Sequence, residues 1–293
     1  MNYEKFHTDN WLFYVIMTLL MTLVGISFGK IFVGLPVSAI LHLISGFYPS
    51  LTEEVIEVIV DNCSFVFIFI LLMIICKIFY KKNLRELFLK KEKERFKWLL
   101  MGIFGGFILS FLCIIIAILF GKISVSYQGV DVLILLLTFI SCCIQSSIEE
   151  LLFRGFLLEG MKKRYSTSFS IIISGLLFSI LHILNPAITL LAIIDISIVG
   201  IVFAYLKEKY GSLNLVIGMH LMWNFTEEII FGSPNSGIIF QKPIFMITAS
   251  TNSIFYNQQF GIESTIQTFG LYMIIFIVIS LVIPHLQKNR IIR

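Results

Sequence analysis

Residues 132–160 read VLILLLTFISCCIQSSIEELLFRGFLLEG. At roughly 1.5 Å per residue such a run crosses the ~30 Å hydrocarbon core of a bilayer as a helix. Its first half carries no charge. Its second half breaks the pattern of a lipid-facing helix, because Glu149, Glu150 and Arg154 lie inside it. Ionisable side chains are costly at that depth, so they mark a protein interior or a hydrated cavity and are candidates for function.

The rest of the chain has the same character. Of 293 residues, 58% are hydrophobic and 14% charged, and the mean hydropathy is +0.94. A soluble domain carries roughly a quarter charged residues. Apolar runs predict spans near Trp11–Val33, Ser64–Tyr80, Trp98–Phe120, Val132–Gly160, Phe169–Leu184, Ala187–Leu206, Leu213–Phe231 and Phe269–His285. The expected fold class is all-α, a polytopic membrane bundle of about eight transmembrane helices. The first span is longer than a signal-peptide core and no A-x-A site follows it, so it reads as a span rather than a cleaved leader. Leu35–Phe47 is apolar but short, and is expected to be interfacial or re-entrant.

Charge sets the expected orientation. Lys77–Lys97 holds nine Lys and Arg residues; Lys162, Lys163 and Arg164 follow the fourth span, Lys207 and Lys209 the sixth, and Lys288, Arg290 and Arg293 the last. Leu35–Asn62 has no Lys or Arg and carries Glu53, Glu54, Glu57 and Asp61, and Gly121–Asp131 and Gly232–Thr268 hold one Lys each. Positive loops stay cytoplasmic, so both termini are expected inside the cell; the Ile-, Lys- and Phe-rich composition fits a low-GC bacterium, and the expected location is a bacterial plasma membrane. The net charge of +4 then reflects topology and does not predict nucleic-acid binding. Lys81–Lys97 is expected to form an amphipathic surface helix with Leu84, Leu87 and Phe88 toward lipid. The five cysteines show no C-x-x-C spacing and are expected to be free, buried thiols. Two segments are expected: N-terminal helices with the basic loop over 1–130, and a catalytic bundle over 131–286.

Other polar residues inside spans are His182, Asp195, His220 and Asn224, with Glu227 and Glu228 one turn further on. Glu150 and Arg154 are four apart, the acid first, which favours a helical ion pair. Glu149 is turned about 100° from Glu150 and need not share the arginine. His220 and Asn224 project from one face, as do Phe178 and His182. Counted from the cytoplasmic ends, Glu149 lies about 16 Å deep, His220 about 11 Å and His182 about 20 Å. These depths predict one polar layer, a small hydrated cavity open toward the cytoplasm. Each residue also has a purely structural reading. His182, His220 and Asn224 could bridge helices, and Asp195 could hydrogen-bond a neighbouring helix. Glu227 and Glu228 are expected at the interface, and Gly200 and Gly218 at close helix contacts.

Three motifs occur in order: Glu149-Glu150-x-x-x-Arg154, Phe178-x-x-x-His182 and His220-x-x-x-Asn224. Together they resemble the CAAX-protease and bacteriocin-processing family of intramembrane proteases. Phe231–Gly237 and Phe260–Ser264 are similar to the outer loop of many bacterial members. The resemblance covers roughly 132–286. It implies hydrolysis of a peptide bond in a membrane-bound or lipidated peptide or protein within the lipid bilayer. On that basis Glu149 and His182 activate a water, and His220 and Asn224 stabilise the oxyanion. Glu150, Arg154 and Phe178 support them. A divalent metal such as zinc is an alternative, with Glu149, His182 and His220 as ligands and water in the open position. Rival readings are a membrane immunity or scaffold protein without peptidase activity, and a secondary transporter. The latter would predict inverted repeats, which the chain does not display.

Overall fold

A computed structural model describes residues 10–84, 86 and 94–282. Among them are eight helical rods: α1 (Trp11–Ser45), α2 (Glu53–Tyr80), α3 (Arg95–Leu119), α4 (Val132–Met161), α5 (Thr167–Leu181), α6 (Leu190–Tyr210), α7 (Leu213–Asn224, continued as π-helix Phe225–Ile230) and α8 (Ile266–Ile277, continued as π-helix Val278–Val282). α1, α2, α3, α4 and α6 are long and apolar enough to cross a membrane, and α5 and α8 are shorter apolar helices. Large apolar side chains lie exposed along the rods, among them Leu43, Phe104, Leu136, Ile140 and Ile172. Such a surface suits lipid and not water. The protein is a multi-pass, all-helical membrane bundle.

Two expected boundaries change. Leu35–Ser45 is neither re-entrant nor separate but continues α1. Pro36 lacks an N–H and would normally kink the rod. Here a π-helical turn at Lys30–Gly34 precedes it and carries the chain through. The acidic stretch before Ser64 is not a loop, because Glu53–Asn62 forms the first turns of α2, with Glu53 and Glu54 at the favourable end of the helix dipole. Leu84, expected to face lipid, is instead 4% exposed and packs in the inner apolar cluster with Tyr14, Leu72 and Phe156. Leu87, Phe88 and residues 283–293 lie outside the described residues.

Glycines set the closest contacts. α3 lies along α7, and a Cβ on Gly102 would stand 2.1 Å from the Leu215 carbonyl oxygen. α5 crosses α6 where Gly175 meets Gly200, and a Cβ on Gly200 would stand 2.8 Å from the Gly175 Cα. Small residues let backbones approach where lipid provides no hydrophobic drive. At the basic end, Glu159, Lys162, Lys207 and Glu208 form an ion-pair network joining α4 to α6. At the other end, strand β1 (Ser124–Tyr127) pairs antiparallel with β2 (Phe245–Thr248). This ties the α3–α4 connection to residues 231–265, a link with no signal in four-residue strands. The cysteines among the described residues are free, with Cys76, Cys113 and Cys142 buried and Cys63 and Cys143 partly so.

Candidate active site

α4 delivers both acids. Its α-helical part ends at Glu150 and a π-helical stretch, Leu151–Leu157, follows. α7 repeats the arrangement, turning π-helical just after Asn224. Such turns are frequent at functional sites because they re-aim side chains within a continuous helix.

Glu150 and Arg154 are wholly buried, and Arg154 Nη1 donates to Glu150 Oε1 at 2.9 Å. Arg154 Nη2 donates to the Gly200 carbonyl at 3.3 Å, and the guanidinium lies 4.5 Å from the centre of the Phe178 ring. A buried arginine thus has a carboxylate, a carbonyl and an aromatic face. His220 joins the two acids. Its Nδ1 lies 3.0 Å from Glu150 Oε1 and its Nε2 3.6 Å from Glu149 Oε2. A carboxylate only accepts, so Nδ1–H donates to Glu150 and Nε2 is the nitrogen facing Glu149.

His182 ends α5. Its Nδ1 lies 2.8 Å from the Phe178 carbonyl oxygen, an acceptor only, so that nitrogen carries the proton and Nε2 is left available. The Phe178 ring contacts both imidazoles, with centroids 4.8 Å from His182 and 6.0 Å from His220. Asn224 Nδ2 donates to Gln145 Oε1 at 3.4 Å.

Glu149, His182, His220, Asn224, Gln145 and Phe178 all line one cavity of about 590 Å³. Glu150 and Arg154 stand behind its wall. Glu149 Oε2 is buried and has no hydrogen-bond partner among the described residues. Among those residues no three His, Cys, Asp or Glu side chains are grouped to hold a metal ion. Glu149, His182 and His220 do not form such a group, though the Nε2 of each imidazole makes no hydrogen bond to the described residues.

The mouth departs from expectation. It does not face the basic loops. Its exposed residues include Lys30, Glu54, Glu57, Pro186, Ile238 and Gln241, at the end of the bundle that carries residues 46–52, 182–189 and 231–265. α1 and α2 rise past this end and help wall the cavity, and His182 terminates α5 there rather than lying mid-span. Glu227 and Glu228 are also not interfacial, being 0% and 7% exposed. Residues 231–265 fold over α7, with Trp223 Nε1 donating to Glu263 at 3.2 Å and Ser233 N to the Glu227 carbonyl at 2.8 Å. Within that cover, burial pushes the Tyr256 phenol up to about 12. Asp195 Oδ2 accepts from Thr265 N at 3.0 Å, at the start of α8. Gln145 was legible as the residue one turn before Glu149. Glu263 lies in an irregular segment and had no periodicity to reveal it.

Residues 131–226 match the family model described as Rce1-like, type II CAAX prenyl endopeptidase. The match makes this segment, about a third of the chain, similar to the Rce1-like family. It contains all three motifs, from Glu149 to Asn224, and it ends before the outer segment and α8. The chain is also 38% identical, over 81 residues, to "Uncharacterized protein YyaK" of Bacillus subtilis (strain 168). That match takes in 26% of this chain and 27% of the relative, so the chain spans about a quarter of the relative's length. No solved structure matches the chain.

Proposed function

We propose that the protein is an intramembrane endopeptidase acting on a membrane-bound or lipidated peptide. The observation that carries this reading is the Glu149 carboxylate, which is buried, lines the cavity beside His182, His220 and Asn224, and has an oxygen with no hydrogen bond from the described residues. A buried acid in that state is expensive unless water or substrate meets it. In the proposed step a water lies between Glu149 and His182 Nε2. Glu149 takes its proton as the oxygen attacks the scissile carbonyl. In this reading His220 is protonated on both nitrogens, Nδ1–H held by Glu150, so that Nε2–H and the Asn224 amide donate to the oxyanion; one such donor supplies roughly 3–4 kcal/mol in the transition state. Glu150 and Arg154 hold His220 and α4 in register. Glu149 later returns the proton to the leaving amine.

The test uses purified protein in detergent and a quenched fluorogenic lipopeptide library. Wild type should cleave a subset of peptides, and Glu149→Gln should lower the rate by about a hundredfold or more while accumulating normally. Activity is expected to persist after exhaustive chelation, since the side chains do not group as a metal site. Loss on chelation with recovery on zinc addition would replace the general-base mechanism by a metal one. Solute uptake into vesicles without any peptide cleavage would favour the transporter reading. The orientation with both termini cytoplasmic is part of the same proposal, supported by the Lys and Arg distribution, and so is a bacterial plasma membrane, which the Ile-, Lys- and Phe-rich composition fits.

A further inference from the structure

Beyond Glu149 and His220 the cavity continues toward residues 231–265, and that end is acidic. Its walls include Asp195, Glu228 and Glu263. Glu263 is satisfied by the protein: Oε2 accepts from Ser236 N at 2.7 Å and Ser236 Oγ at 3.0 Å, and Oε1 from Trp223 Nε1 at 3.2 Å. Asp195 is only half satisfied. Thr265 N reaches Oδ2, while Oδ1 is buried and without a partner. Glu228 is 7% exposed, and no hydrogen bond or ion pair from the described residues reaches its carboxylate. The Glu263 carboxylate lies within Coulombic range of both.

No Lys or Arg among the described residues pairs with Asp195, Glu228 or Glu263. Lys30 is the one Lys or Arg among the residues that line the cavity, and it is paired with Asp61 at 2.9 Å. Two further acids, Glu54 and Glu57, stand exposed at the mouth. An acidic cluster alone is often a solvated surface. Here, though, one carboxylate and half of another are buried, face a cavity and lack donors. Buried carboxylates of that kind either take up a proton or are met by a positive partner, and a cavity at their side gives such a partner access.

We propose that this end of the cavity is a binding subsite for a cationic group of the substrate, the ammonium or guanidinium of a Lys or Arg side chain, with Glu228 as principal partner and Asp195 Oδ1 as second. Glu263, held by three donors, adds field without moving. The acids at the mouth draw a basic peptide segment in, and long-range attraction of this sort raises encounter rates. Glu149 and this subsite line the same continuous cavity, so the scissile bond lies a short peptide length from the basic residue. The inference rests on the peptidase reading for the identity of the ligand as a peptide.

Binding and cleavage are measured separately. The probes are pairs of fluorescein-labelled palmitoyl peptides, identical except for Lys or Gln at one position, with that position moved along the peptide. Anisotropy with full-length protein in detergent gives Kd, and the same peptides are followed for cleavage. Wild type should prefer Lys over Gln by about tenfold or more at one position, and Glu228→Gln should bring that ratio close to one. Glu228→Lys should invert it, favouring a Glu-containing peptide. Equal affinity of wild type for Lys and Gln peptides at every position would overturn the subsite, and this measurement needs no variant to fold. A Lys preference in binding with no cleavage at any position would leave the subsite standing and defeat the peptidase reading.

Discussion

Two adjacent carboxylates, Glu149 and Glu150, have opposite surroundings. Glu150 is sealed off, with Arg154 and His220 both donating to Oε1. Each has one oxygen buried without a hydrogen-bond partner among the described residues, but only Glu149, about 100° around the helix, lines the cavity. Their substitutions should therefore differ in kind. Glu150→Gln leaves the Arg154 charge buried without its counter-ion, and breaking such a pair costs about 3–5 kcal/mol. Its melting temperature and detergent-extracted yield should fall, and the Glu150→Gln/Arg154→Gln double variant should regain part of both. Glu149→Gln should melt near wild type and lose cleavage. A stable Glu150→Gln without activity, beside an active Glu149→Gln, would exchange the two roles. The pairing of Glu150 with Arg154 was legible from their four-residue spacing. The third member, His220, was not, because it comes from a helix about seventy positions away.

At the scale of elements, close approach of α3 to α7 positions His220 and Asn224. Gly102→Leu places a side chain against the Leu215 carbonyl, and overpacking of this sort costs roughly 1–3 kcal/mol. The expected result is a lower melting temperature together with a weaker reaction, since α7 moves as a rod; unchanged melting would mean that the pair separates freely. The start of α4 depends on Asp131, whose side chain accepts from Ile134 N at 3.2 Å and from Tyr48 Oη at 2.7 Å. Burial works to raise its carboxyl, but the Tyr48 hydroxyl and the Ile134 and Leu133 amides outweigh it and hold the group below its ordinary value. A depressed carboxyl stabilises the fold above the ordinary carboxylate range, about pH 4, and that contribution disappears as pH falls through the folded value. Hydrogen exchange in the first turn of α4 should accelerate only on such acidification. Asp131→Asn should remove the pH dependence, and an identical profile in both proteins would refute the role of this cap.

For the whole molecule, the decisive feature is which end of the bundle the cavity meets. Its mouth lies opposite the ends bearing Lys162, Arg164 and Lys207. Combined with the charge distribution, this predicts an opening on the non-cytoplasmic face. In a cysteine-free background, a membrane-impermeant maleimide applied to intact cells should label Asn252→Cys and Gln241→Cys and leave Arg164→Cys unmarked. Labelling of Arg164→Cys alone would turn the protein over and place the opening in the cytoplasm. Either result leaves the internal geometry intact, because topology and site assembly are separate properties of the chain.

The amino-acid sequence alone determined the membrane class, the approximate positions of eight helices and the three polar motifs. Each of these depends on local quantities: mean hydropathy over a span, and the 3.6-residue period that sets two side chains on one face. What packing decided lies between segments distant in sequence. Pro36 reads as a break, yet α1 runs through it because a π-helical turn absorbs the defect. Glu53–Asp61 reads as a loop by charge, yet it is helical and its acids stand at the cavity mouth. Glu228 reads as interfacial by position, yet it is buried, because residues 231–265 fold back over α7 and are pinned by β1 and β2. Burial, ion-pair partners and the direction of an opening belong to surfaces that exist only once helices meet, and no periodicity within a single span encodes them.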